Sequence, residues 1–373
     1  MNPIDDFRFD RECLHLTWSD GAESEFLALW LRDHCQQPES RNPANGQRLL
    51  NITDIAADLG IDNALLADGQ LLVEVSDGHR SAFEPGWLRA NCYSLNRQYD
   101  DRSETAKRLW DGSDFVEGIP RCPYPRFVDE ADARLQALRA VRDYGFVVLE
   151  EVDCRPGAVL DVVRQFGYVR ETNYGPLFDV RTHVDPNNLA FTNLGLGCHL
   201  DNPYRDPVPG LQLLHCLESS TRGGDSILQD GFRAASLLRD EDPAHFRLLS
   251  RHWINFRFRD SQADLQSRVP FIEVNDLDEV IKVRFNNRSI DTLKLPGEVL
   301  RRFYPAYRHY AEILERRELQ VRFKLREGEL MLFDNTRILH ARTAYSESGT
   351  RHLQGAYSDL DGLYSCLRQL EAS

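Results

Sequence analysis

Leu211-Gln-Leu-Leu-His-Cys-Leu217 is a short apolar run, with Gly210 before it and Glu218-Ser219-Ser220 after it. Runs of this kind recur down the chain: Ser226-Ile-Leu228 before the turn signal Asp230-Gly231, Val280-Ile-Lys-Val-Arg-Phe285, and Leu330-Met-Leu-Phe333. Each is too short for a helix and is closed by turn-forming residues, which predicts strands of a β-sandwich or barrel rather than a parallel sheet. Upstream, Ala131 to Tyr144 carries Leu135, Leu138 and Val141 at helical spacing, and Gly145 can stop that helix before the β-branched strand Phe146-Val-Val-Leu149. Helical insertions are expected around Arg233 to Arg251 and Pro296 to Leu314.

The N-terminal third contains an internal duplication. Ser19-Asp20-Gly21, Ser24, Phe26, Trp30-Leu31-Arg32 and Cys35 recur 57 residues later as Ser76-Asp77-Gly78, Ser81, Phe83, Trp87-Leu88-Arg89 and Cys92. Each copy reads as two apolar runs about an Asp-Gly turn, followed by a short helix beginning at Trp-Leu-Arg. A small β-rich domain over residues 1–105 follows, better suited to packing and dimerisation than to chemistry. Ile119-Pro-Arg-Cys-Pro-Tyr-Pro125 has three prolines in six residues, so residues 106–126 read as a linker and 127–373 as a second, larger domain.

The 373 residues carry 59 acidic and 45 basic side chains, a net charge of −14, which disfavours nucleic acid as a partner. With 42% hydrophobic residues the chain can bury a sizeable core. It has no run of membrane-spanning length, no signal-peptide pattern at Met1-Asn-Pro-Ile-Asp-Asp6 and no Gly-rich phosphate loop. Eight cysteines without a Cys-x-x-Cys pair read as reduced thiols. A cytoplasmic protein is expected.

Gly197-Cys-His199-Leu-Asp201-Asn-Pro203 supplies the first chemical signal. On an extended segment alternate side chains share a face, so His199 and Asp201 can hold one ion between them. Alone the pair is common by chance. It gains weight from Phe333-Asp-Asn-Thr-Arg-Ile-Leu-His340, where a buried-looking strand runs into a polar loop ending on a second histidine. Two imidazoles and a carboxylate form the facial triad of non-haem Fe(II). Arg351 lies eleven residues beyond His340. If the two sit on adjacent antiparallel runs joined by Ser346-Glu-Ser-Gly349, the guanidinium faces the cavity and can clamp a dicarboxylate.

His199-Leu-Asp201, Gly210-Leu-Gln-Leu-Leu-His-Cys216, Gly223-Gly-Asp-Ser226, Phe333-Asp-Asn335 with His340, and Arg351-His-Leu-Gln-Gly-Ala-Tyr357 together resemble the γ-butyrobetaine dioxygenase branch of the taurine dioxygenase-like, 2-oxoglutarate-dependent oxygenases. The likeness covers nearly the whole chain. It implies a mainly β protein with helical insertions, its catalytic domain a double-stranded β-helix (jelly-roll) behind a small β-rich N-terminal domain. It further implies Fe(II) on His199, Asp201 and His340, 2-oxoglutarate with its far carboxylate on Arg351, O2 as second cosubstrate, and a homodimer.

The same resemblance implies an aromatic cage for a trimethylammonium group, matching Tyr174, Phe178 and Phe191 here. A quaternary cation donates no hydrogen bonds and is held by ring faces. Asn202 stands where the animal members have an aromatic residue, and Tyr204 can substitute. Asn188, Asn286, Asn287 and Arg288 match or adjoin the anion-contacting positions, with Arg288 replacing a small neutral residue. An added guanidinium suits a doubly charged head. The Asn202 departure and Arg288 together resemble family members that act on 2-(trimethylammonio)ethylphosphonate, so the expected substrate is that compound, hydroxylated next to phosphorus, with γ-butyrobetaine, hydroxylated to carnitine, as the alternative. Members of the branch often bind zinc near the N-terminus through three cysteines and a histidine. Here Cys35 and His79 are kept but Gln37 and Ser40 replace thiolates, leaving His34 as the one nearby substitute, so zinc is not expected. Two rivals stand beside the oxygenase: a jelly-roll protein that merely binds quaternary ammonium, and a zinc hydrolase. Neither explains a dicarboxylate clamp.

Overall fold

In the computed structural model, residues 3–95, 107–181, 195–346 and 349–373 are described. The chain divides into two compact units, Met1–Glu104 and Thr105–Ser373.

The first unit has two three-stranded antiparallel sheets, β1 (Ile4–Phe9), β2 (Cys13–Trp18) and β3 (Glu23–Leu27), then β4 (Ile61–Ala67), β5 (Gln70–Val75) and β6 (Arg80–Phe83). Each sheet is followed by a one-turn helix, α1 (Ala28–Asp33) or α2 (Pro85–Ala90). Equivalent residues of the two copies reach across to each other. Arg32 pairs with Asp77 at 3.3 Å, and Arg89 with Asp20 at 2.9 Å. The Trp30 and Trp87 rings lie 5.7 Å apart. The duplication is thus written into the packing as reciprocal contacts. Cys35 and His79 meet at 3.3 Å, and Gln37 accepts from the Cys35 thiol at 3.3 Å. His34 instead contacts the Trp30 carbonyl and Arg48.

The second unit begins earlier than the prolines suggest. Trp110 is buried, β7 (Arg121–Pro123) pairs in parallel with β8 (Phe146–Glu150), and α3 (Tyr124–Asp129) starts directly after it. The stretch read as a linker is therefore folded into this unit. Its prolines occupy positions that need no amide donor: Pro123 ends an edge strand, and Pro125 lies in the first helical turn.

After α3 come α4 (Ala131–Tyr144), stopped by Gly145 at φ 87°, then β8, α5 (Ala158–Arg164), β9 (Phe178–Val180) and β10 (Leu196–His199). The long β11 (Leu211–Ser219) and β12 (Ser226–Asp230) follow, then α6 (Gly231–Glu241) and α7 (Pro243–Arg251). Two hairpins, β13 (Ile254–Arg259) with β14 (Asp264–Val269) and β15 (Ile272–Val274) with β16 (Val280–Val283), lead to α8 (Gly297–Leu314). The chain closes with β17 (Gln320–Phe323), β18 (Leu330–Asp334), β19 (Ile338–Arg342), β20 (Arg351–Ser358) and α9 (Leu360–Ala372). Six strands form one sheet in the order β7-β8-β18-β11-β20-β9, and four form another, β10-β19-β12-β17. Apart from β7, every pairing in both is antiparallel.

Helices α4, α5 and α9 bury their apolar faces on the outside of the large sheet, against Val147, Leu149, Leu211, Leu213 and Leu332. Helices α6, α7 and α8 with both hairpins make a second core around Phe256, Phe271, Phe303 and Tyr310. A fully buried ion pair, Arg337 to Asp230 at 2.7 Å, ties the start of β19 to the end of β12. Asp230 also caps α6 through the Phe232 amide. The expected sheets with helical insertions are present, but helix is nearly as extensive as strand among the described residues, so the mainly β balance is not met.

Candidate active site

Strand register brings the two metal-binding candidates together. β10 pairs antiparallel with β19 so that His199 stands directly opposite His340, their ring centroids 4.2 Å apart. Asp201 lies beyond the end of β10, not within it. Leu200 donates its amide to the Phe285 carbonyl, and Asn202 takes the left-handed conformation at φ 54°. That turn swings the Asp201 carboxylate back over the imidazoles. Its Oδ1 is 3.5 Å from His199 Nε2 and 3.9 Å from His340 Nε2. All three donor atoms lie within 4.8 Å of one another.

The remaining atoms of the trio are turned to suit a cation. His199 Nδ1 contacts the Gly197 carbonyl at 2.8 Å, so the proton sits there and the Nε2 lone pair faces Asp201. Asp201 Oδ2 accepts from Gln212 Nε2 at 2.8 Å and from the Tyr357 hydroxyl at 2.9 Å, leaving Oδ1 for the metal. Gln212 and Tyr357 are register partners on β11 and β20. Asn335 fixes the Asp201 backbone from both sides: its Oδ1 accepts from the Asp201 amide, and its Nδ2 donates to the Asp201 carbonyl, each at 3.0 Å. Burial pushes the His340 imidazole down to about 3 and would raise the Asp201 carboxyl. The imidazoles and the Tyr357 hydroxyl outweigh burial for Asp201, holding it below the usual carboxylate range. A neutral imidazole and an ionised carboxylate are the forms that ligate a divalent ion, so the residues fit Fe(II).

The trio opens into a cavity of about 460 Å³. Arg351 lines it, but not as the adjacent-strand expectation had it. His340 is on β19 of the four-stranded sheet and Arg351 on β20 of the six-stranded sheet, so they face the cavity from different walls. The segment between them crosses from one sheet to the other. Burial lowers the pKa of the Arg351 guanidinium, whose Nη1 has no hydrogen-bond partner among the described residues.

Much of the cavity lining is aromatic. Tyr174 and Tyr204 touch through their hydroxyls at 3.3 Å, Phe178 stacks on Tyr357 at 5.0 Å, and Phe258 stacks on Tyr204 at 5.2 Å. Phe258, on β13, was not legible as a site residue because its alternating strand resembles any half-buried hairpin. Asn202 lines the cavity, 3% exposed, with neither end of its amide bonded among the described residues. The Asn286 amide is already committed, donating to Leu200 O and accepting from the Arg288 amide. Asn287 is exposed and lies away from this cavity, in the 287–289 turn. Asn188 and Phe191 lie outside the described residues.

Arg288 reaches the cavity, and its guanidinium makes no hydrogen bond or ion pair among the described residues. Arg288 is exposed to the solvent that fills the cavity, although neighbouring protein atoms still lower its pKa against the opposing pull of Asp201.

Two family models match the chain. One, described as taurine catabolism dioxygenase TauD, TfdA family, matches residues 114–357; the other, gamma-butyrobetaine hydroxylase-like, N-terminal, matches residues 6–68. The chain belongs to the TauD/TfdA dioxygenase family. It is an Fe(II)- and 2-oxoglutarate-dependent dioxygenase, as its site residues led us to expect. A gamma-butyrobetaine dioxygenase of Pseudomonas sp. (strain AK-1) is 35% identical over 361 residues, which span 95% of this chain and 93% of that one. The human gamma-butyrobetaine dioxygenase is 31% identical over 369 residues, 96% and 94% of the two chains. A taurine dioxygenase structure from Burkholderia xenovorans superposes with a TM-score of 0.49 at 17% identity, covering 68% of this chain and 89% of that one. Among the described residues no helix is long and apolar enough to cross a membrane.

Proposed function

We propose that this enzyme hydroxylates a small trimethylammonium zwitterion. The reading rests on one juxtaposition: the rings of Tyr174, Phe178, Tyr204 and Phe258 line the same cavity as His199, Asp201 and His340. Ring faces suit a quaternary cation, and the distance from cage to metal trio sets which carbon is oxidised. In this reading the two sheets are a double-stranded β-helix, and Fe(II) sits on His199, Asp201 and His340. Arg351 takes the far carboxylate of 2-oxoglutarate, and the aromatic residues and Asn202 shape the substrate pocket. Bound iron with O2 supplies the oxidising power: 2-oxoglutarate becomes succinate and CO2, one oxygen atom enters succinate, and the other enters the substrate C–H bond. The protein's own part is to hold the substrate carbon near the metal and to exclude bulk water.

The anionic end of the substrate has two readings. The relatives' names favour γ-butyrobetaine, which those enzymes are named for. Arg288 favours 2-(trimethylammonio)ethylphosphonate. An exposed guanidinium in the cavity wall with no protein partner among the described residues is free to meet an entering anion, and a phosphonate offers three acceptor oxygens and up to two charges. On that residue we take the phosphonate as the working substrate, with γ-butyrobetaine as the second reading. Head-to-head turnover of both compounds, with Arg288→Ala alongside, decides the matter. Faster loss of the phosphonate in the wild type, with a drop of about 10- to 100-fold in Arg288→Ala, is expected from a charge-assisted hydrogen bond. Preferred turnover of γ-butyrobetaine would transfer the assignment to it. A homodimer completes the proposal on the family resemblance, and a solution mass near the 43.0 kDa of one chain would correct it.

A further inference from the structure

We infer that Arg342 is a second guanidinium for the far carboxylate of 2-oxoglutarate, acting beside Arg351; the inference builds on the place given to Arg351 above. Arg342 is two residues past His340 on β19, so the strand's alternation turns both side chains to the same face. Both line the cavity. Two residues of strand advance about 7 Å, a step comparable with the five-carbon length of the cosubstrate. A 2-oxo acid chelating the metal beside His340 therefore brings its far end to the level of Arg342.

The two arginines approach from different sheets and converge on one ring. Tyr345 has the Arg342 guanidinium 5.0 Å from its centroid and that of Arg351 5.4 Å away. Both arginines are nearly buried, at 6% and 9% exposure. Ser226, the register partner of Arg342 on β12, is buried in the same wall and offers a hydroxyl. Gly224, at φ 71°, leaves room for Arg351: a Cβ there would stand 3.1 Å from its Nε. Asp201, at the metal, is the one carboxylate in the lining among the described residues.

A carboxylate placed between the two guanidinium groups is attracted from both sides. A carboxylate has about four lone-pair sites. A bidentate contact from Arg351 uses two of them, leaving acceptor capacity for a second guanidinium and the Ser226 hydroxyl. Such a site selects a dicarboxylate over a 2-oxo acid with a neutral tail.

The test is anaerobic equilibrium binding of 2-oxoglutarate to the full-length Fe(II) enzyme, followed by the visible charge-transfer band of the chelate. The same titration is run with 2-oxopentanoate, which lacks the far carboxylate. Arg342→Gln is expected to weaken 2-oxoglutarate binding about 10- to 100-fold and to leave 2-oxopentanoate binding within about twofold, with Arg342→Lys recovering part of the loss. Steady-state turnover should show the change in KM for 2-oxoglutarate rather than in kcat. Equal losses for the two acids, or no loss for 2-oxoglutarate, would overturn the inference. Arg351→Gln in parallel separates the two assignments: if it weakens 2-oxoglutarate and Arg342→Gln does not, the inference about Arg342 fails alone; if neither does, the place of Arg351 fails too. Should Arg342→Gln not fold, Arg342→Lys carries the same comparison, because a point charge without the planar fork should still lose affinity for 2-oxoglutarate alone.

Discussion

The two oxygens of Asp201 have different neighbours, and this division lets one carboxylate serve both as the proposed ligand and as an anchored part. Gln212 and Tyr357 immobilise Oδ2 while Oδ1 stays open toward His199 and His340. Asp201→Ala should abolish iron-dependent release of CO2 from 2-oxoglutarate, and wild-type rates in that variant would refute the ligand assignment. Tyr357→Phe keeps the ring that stacks on Phe178 and deletes one hydrogen bond. It should weaken Fe(II) binding about 10-fold or more, as loss of a partner behind a metal ligand does, read by anaerobic metal titration. His199, Asp201 and His340 were legible in the sequence because their residue types are rare in combination. Gln212 and Tyr357 were present in the family-like strands, yet nothing local marks a glutamine or a tyrosine as a brace for a residue many positions away.

Strands carry the site, and glycines set how closely they approach. Gly355 on β20 lies under Phe178 of β9; a Cβ there would run into the Phe178 ring. Gly355→Ala should displace the ring rather than the backbone, raising KM for the trimethylammonium substrate several-fold while leaving KM for 2-oxoglutarate near its original value. Steady-state kinetics with both varied checks this; a shift confined to 2-oxoglutarate would remove Phe178 from the cage. The junction of β12, α6 and β19 is held by Asp230 and Arg337, both fully enclosed. Asp230→Asn leaves a buried guanidinium without its counter-charge and an altered helix cap, so urea unfolding should show a loss of about 3–5 kcal/mol. The short apolar runs announced most of these strands, since burial on a sheet needs only a few β-branched or aliphatic residues. The linker reading missed β7 and α3 because prolines at an edge strand and in a first helical turn look the same in sequence as prolines in a loop.

At the scale of the molecule, a chain with net charge −14 encloses a cavity lined by Arg257, Arg259, Arg288, Arg342 and Arg351, with Asp201 the one acidic member among the described residues. Arg257 and Arg259 are paired with Asp264, so the local positive field comes from the other three, and it favours the anionic cosubstrate and the anionic end of the substrate. The large sheet also contains a titratable residue unrelated to chemistry. His215 on β11 is wholly buried, and burial lowers its pKa from 6.5 to about 4, a backbone group of Val152 opposing in part. Below pH 6.5 the unfolded chain takes up a proton that the native chain refuses. Stability present above pH 6.5 is therefore lost as pH falls toward 4, by up to about 3 kcal/mol. His215→Leu should flatten that part of the stability profile in denaturant titrations between pH 7 and 4; an unchanged slope would assign the acid sensitivity elsewhere. The sequence by itself determined most of the short strands, the N-terminal duplication and the residue types of the candidate metal trio, because each is encoded in residue type and short-range spacing. Only the tertiary structure decided that His340 and Arg351 face each other from separate sheets, that Phe258 and Arg342 enter the cavity, and that Asn287 does not. Those facts depend on how two sheets stack and where their strands pair, a register fixed by burial across the whole molecule and carried by no single segment of the chain.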